Sequence, residues 1–109
     1  MTVYDTANQL AKEIKESNEY LNYKKLKKEI MGNNEKKAKI EEFEKTRYNV
    51  QLSQMNGENI EEKSQKLQEL YTILVQNKDI KEYFDAEIKF NILLADVNKI
   101  IAESVKDVL

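Results

Sequence analysis

From Asp79 to Ser104 the chain runs without a single Gly or Pro, and its apolar residues recur at helical spacing throughout. Tyr83, Ala86, Phe90, Leu93, Val97 and Ile100 alternate steps of three and four, the a/d seam of a helix that pairs with another helix. A second stripe, Ile80, Phe84, Ile88, Leu94 and Ile101, runs beside the first. At a rise of 1.5 Å per residue the segment reaches roughly 39 Å. A globule of this chain length is only about 33 Å across, from a radius of gyration near 13 Å. Such a helix is expected to overhang its own fold and to be covered by a partner.

The rest of the chain is equally poor in breakers, with no Pro and two Gly in 109 residues. Strand-like alternation is absent over any useful length, so an all-α fold is expected. It should be one domain, residues 1–109, built as an elongated helical hairpin or bundle with a long C-terminal helix that self-associates through helix–helix seams.

Helix ends are marked by a few polar residues and the two glycines. Thr2 or Asp5 caps a first helix to about Ser17, with Val3, Ala7, Leu10, Ala11 and Ile14 on one face. The next runs from about Glu19 to Met31 and presents Tyr20, Tyr23, Leu26 (or Lys27) and Ile30 at helical spacing. Gly32 is expected at the position after its C-cap, where positive φ is tolerated, and Asn33-Asn34 opens a third helix. That helix, about Glu35 to Met55, should turn Ala38, Ile40, Phe43, Val50 and Tyr48 inward, although Arg47 and Gln54 interrupt its stripe. Asn56-Gly57 ends it. Asn59-x-x-Glu62 reads as a capping box for a fourth helix to about Val75, with Leu67, Leu70, Tyr71 and Leu74 as its stripe. Asn77 or Asp79 then caps the long final helix. The short turns predict that the third and fourth helices form an antiparallel hairpin with the last helix packed along it.

Catalytic chemistry finds little footing. The chain has no His and no Cys, which excludes thiol chemistry, disulfides and the Glu-x-x-His sites of di-metal bundles. Glu41, Glu42 and Glu44, then Glu58, Glu61 and Glu62, then Asp85 and Glu87 fall on expected solvent faces or helix starts, so neither metal nor cofactor is expected. No Gly-rich loop exists to cradle a phosphate chain. No apolar run approaches the roughly 18 residues that span a bilayer, and Met1-Thr2-Val3-Tyr4-Asp5 does not begin a signal peptide. The expectation is a cytoplasmic protein that is not an enzyme.

One segment concentrates positive charge. Lys24, Lys25, Lys27, Lys28, Lys36, Lys37 and Lys39 face only Glu29 and Glu35, an excess of five positive charges in a chain whose net charge is −2. With Tyr20 and Tyr23 just upstream, the segment is a candidate surface for RNA or for an acidic partner protein. The alternative is a solvated lysine face whose tyrosine rings pack inward; the near absence of Arg favours it. Two further alternatives stay open. Asn91 and Asn98, seven residues apart, lie either within a helix–helix seam, where an amide selects register, or on its rim. Gln54 and Met55 are either an exposed recognition corner or a helix end tucked into the nearest gap.

Several of these residues together resemble the YlbF/YmcA family of small helical bacterial proteins, its YheA-like branch above all. They are Val3-Tyr4-Asp5-x-Ala7-x-x-Leu10, Ser17-x-Glu19-Tyr20, Gln54-Met55-x-Gly57, Ala86-Glu87 and Leu94-x-Asp96-Val97-Asn98-Lys99-Ile100-Ile101. The similarity spans nearly the whole chain in order. It implies an all-helical fold that self-associates through long helices, and a non-enzymatic regulatory role. Better-studied members assemble with partner proteins and influence ribonuclease Y-dependent RNA processing, competence, biofilm formation and sporulation. The iron–sulfur clusters that some family complexes hold on Cys residues do not carry over to a chain without Cys. Periodicity and resemblance combine into one expectation, a homo-oligomeric adaptor, as a dimer first, that binds a protein partner. Direct RNA binding through Lys24 to Lys39 is the alternative.

Overall fold

The computed structural model describes residues 2–109 and has five helices and no strand among them. These are α1 (Val3–Glu16), α2 (Asn18–Met31), α3 (Asn34–Met55), α4 (Glu61–Leu74) and α5 (Lys78–Ser104). The all-α expectation holds, with boundaries close to those the breakers predicted.

Each boundary has a local cause. Thr2 caps α1 and forms a complete capping box with Asp5: the Asp5 N–H donates to Thr2 Oγ1 and the Thr2 N–H donates to Asp5 Oδ2. Ser17 separates α1 from α2 with one side chain. Its hydroxyl donates to the Ile14 carbonyl at 2.6 Å and accepts from the Tyr20 N–H at 3.2 Å, which closes one helix and opens the next. Asn33 Oδ1 caps α3 through the Lys36 N–H, and Asn77 Oδ1 caps α5 through the Ile80 N–H.

Two expected ends differ. Gly32 does not use positive φ; among the described residues Gly57 alone does, at 73°. The Gly32 N–H continues the helical pattern to Lys28, and a Cβ there would lie 3.3 Å from that carbonyl oxygen. Asn59 does not build a capping box. Its side chain accepts from the Glu61 N–H, two residues on, and the N-cap position falls to Ile60, which makes no side-chain cap bond. The chain after Asn59 turns one residue later than the box requires. The end of α3 is the fully formed motif. The Glu58 N–H reaches Ser53 O and the Gly57 N–H reaches Gln54 O, the paired bonds that a left-handed glycine permits.

The chain divides into two compact units. One comprises the residues up to Lys27 together with Tyr83–Leu109; the other is Lys28–Glu82. In the second unit α3 and α4 form the expected antiparallel hairpin, since Ser53 meets Lys63 near the turn and Phe43 meets Tyr71 farther away. Its core holds Ile30, Ile40, Phe43, Val50, Leu74 and Ile80, with Ser53 as its buried polar residue. Ala38 and Tyr48, expected inward, are exposed, because the buried face of α3 follows Ile40, Phe43, Val50 and Ser53. Of α5, only Lys78–Glu82 belong to this unit, whereas the whole helix was expected along the hairpin. From Tyr83 onward α5 has its aromatic complement on α2 instead.

Candidate interaction surface

In the first unit α2 and α5 run antiparallel. Tyr20 packs edge-on against Phe90 at 5.6 Å between ring centres, and Tyr23 lies between Tyr83 and Phe90 at 5.7 and 5.8 Å. Such pairs add directional attraction to the area they bury. The Tyr23 hydroxyl donates to Glu87 Oε2 at 3.1 Å. Burial first, then hydrogen bonding and charge from Tyr83 and Glu87, pushes the Tyr23 phenol well above its ordinary range, so it stays a neutral donor.

Cover along the predicted seam fades toward its C-terminal end. Tyr83 is 3% exposed and Ala86 equally buried; Phe90, Leu93 and Val97 are half-buried; Ile100 is 70% exposed. In the adjacent stripe Ile80 and Phe84 are buried and Leu94 half-buried, while Ile101 is 53% exposed. Ile100 and Ile101 continue the rotation of the buried face by helical geometry. The apolar seam therefore continues where its cover from within the unit ends. Leu10 and Ile14 are the half-buried residues of α1, which contains no buried one. Asn91 and Asn98 are both exposed.

The lysines of the basic segment divide between the units. In the first, Lys24 Nζ lies 5.9 Å from the centre of the Tyr20 ring and Lys27 Nζ 5.8 Å from that of Tyr23, while Lys25 is exposed. Both aromatic rings are thus engaged, by Phe90 and Tyr83 on one side and by their own lysines. In the second, Lys36 bonds Asp79 Oδ2 at 2.6 Å and holds that carboxyl below the usual range; Lys39 meets Glu35, Lys37 approaches Glu41, and Lys28 is exposed.

Among the described residues no group of three or more Asp or Glu side chains converges as metal ligands. None of the described helices is long and apolar enough to cross a membrane. At the hairpin tip Met55 is 83% exposed, with Gln54 exposed beside it. Sequence reasoning missed the buried Ser53 and its Lys63 partner, and it missed the Tyr23–Glu87 bond; the step from Val50 to Ser53 was the one available signal for the first.

Comparison with known proteins adds family-level context. Residues 3–106 match the family model described as control of competence regulator ComK, YlbF/YmcA. A UPF0342 protein of Halothermothrix orenii is 43% identical over 102 residues, covering 93% of this chain and 86% of that one. One from Desulfitobacterium hafniense is 39% identical over 111 residues, covering 100% of this chain and 89% of that one. The solved structure of YheA from Bacillus subtilis aligns over 100% of both chains with a TM-score of 0.70 at 23% identity, which makes the fold the same.

Proposed function

The chain belongs to the YlbF/YmcA family, and from that membership we propose that it is a non-enzymatic regulatory adaptor of the cytoplasm, which self-associates, as a dimer first, and binds a protein partner. The family description, control of a competence regulator, supports a regulatory role. The observation that carries self-association is the uncovered end of the α5 seam at Ile100 and Ile101. Covering a large aliphatic side chain is worth about 1.5–3 kcal/mol, so two such residues per protomer, buried reciprocally, supply a substantial part of a dimer interface. RNA binding is the weaker reading, because Tyr20 and Tyr23 already stack within the unit and Lys36, Lys37 and Lys39 have carboxylate neighbours.

Sedimentation velocity on the wild type and on the Ile100→Asp, Ile101→Asp double variant tests the proposal. Both side chains are exposed within one chain, so the variant still folds, its unfolding midpoint falls only by the stabilisation that association supplied, and its sedimenting mass falls to that of one chain. A wild type that already sediments as a monomer at tens of micromolar overturns self-association. Affinity capture from the native cell, with and without nuclease, then separates a protein partner from an RNA one.

A further inference from the structure

We infer that the cleft between α3 and α4 binds a small organic anion whose phosphate or carboxylate head is attached to an apolar body. The cleft encloses about 350 Å³, toward the lower end of the roughly 300–1,000 Å³ usual for small-molecule sites. Its lining includes two ammonium groups, Lys63 and Lys66, and no carboxylate. Elsewhere Lys12, Lys36, Lys37, Lys39 and Lys78 each stand within ion-pair distance of an Asp or Glu.

Lys63 is held by a buried partner. Ser53 is 5% exposed, and its Oγ accepts from Lys63 Nζ at 2.7 Å. An ammonium carries three donors, so two remain for a ligand, and the Ser53 hydroxyl keeps its own hydrogen to donate. Fixing the head of a long flexible side chain in advance reduces the rotamer entropy that ligand binding must otherwise overcome. Asn49 and Asn56, also in the lining, carry amide donors suited to further anion oxygens. Val50 and Leu52 line the same cleft and offer the apolar surface against which the body of the ligand rests. An acid-free recess with two cations, in a chain of net charge −2, gathers anions by local field rather than by overall charge. Because its residues come from both arms of the hairpin, an occupant ties α3 to α4 and stabilises the unit by mass action.

Amide NMR titration of the full chain with phenyl phosphate and with benzoate, and with uncharged benzyl alcohol as control, tests the inference. At least one anion is expected to shift amides within 46–56 and 63–66 in a saturable way at millimolar concentration or below. The tighter of the two identifies the head group. Lys63→Met is expected to weaken that binding about tenfold, and Lys66→Met to weaken it as well, since each removes a charge-assisted contact. Both lysines are exposed, and a spectrum unchanged away from the cleft verifies that each variant is folded. Equal shifts from benzyl alcohol, shifts scattered over lysines elsewhere, unaltered affinity in Lys63→Met, or no saturable response to either anion overturns the assignment.

Discussion

Tyr23 donates its phenol hydrogen to Glu87 across 64 residues of sequence, at 3.1 Å. The bond fastens α2 to α5 at the point where the Tyr23 ring is also held by Tyr83 and Phe90. A polar clasp and an aromatic stack thus act through the same side chain. Ring placement sets the hydroxyl position, and the hydroxyl bond limits how far the ring can tilt.

The clasp makes stability depend on alkaline pH. Folding raises the Tyr23 pKa above its ordinary 10.0, so the folded state holds this proton more tightly than the unfolded state does. The stabilisation is complete below pH 10 and is progressively lost as pH rises toward the folded value. Urea midpoints measured at pH 8 and at pH 11 should fall steeply for the wild type and less for Tyr23→Phe. At pH 8 the variant is expected to be less stable by about 1 kcal/mol, the worth of one hydrogen bond. Parallel pH dependence in the two proteins would remove the clasp from the account.

Ile40 is 1% exposed within the hairpin unit. Ile40→Ala is expected to cost about 2–5 kcal/mol, the range for emptying a well-packed aliphatic site. Tyr48→Ala, on the same helix but exposed, should change stability by less than about 0.5 kcal/mol. Chemical denaturation of the pair distinguishes the observed buried face of α3 from the one read in its periodicity. Equal losses would mean that Tyr48 is covered in solution.

Gly57 has φ of 73° and open space where a Cβ would go. Gly57→Ala therefore meets no steric neighbour, and its whole cost comes from the left-handed backbone, about 1 kcal/mol. A thermal midpoint equal to wild type would show that the turn relaxes into another shape.

Helix ends were the most legible part of this chain because their causes are local. Ser17, Asn33, Asn77 and the Asn56-Gly57 pair act on backbone groups within a few residues, and each behaves as its type predicts. The α2 face was nearly as clear: Tyr20, Tyr23 and Ile30 are at least half-buried, and of the alternatives Leu26 and Lys27 it is Leu26 that is half-buried while Lys27 is exposed. The buried face of α3 was harder to read, since its charged and apolar residues alternate without a strong stripe. Gln54 was aligned with the seam where Ser53 actually lies, and only the distant Lys63 explains why a serine is comfortable there. The switch of α5 from hairpin partner to α2 partner was also hidden, because two adjacent stripes fit either neighbour equally well. The excess of apolar residues along α5 was visible, but not the point along the helix at which cover stops.

At the bend that ends α3, the Gln54 and Ser53 carbonyls accept from the backbone N–H groups of Gly57 and Glu58. Met55 therefore contributes nothing to that closure while projecting almost wholly into solvent. Form and chemistry at the hairpin's apex are under separate control: one residue dictates how the loop is shaped, and a different one dictates what a visitor would touch. A thioether there can be exchanged for a charge or an aromatic ring without remaking the corner that displays it.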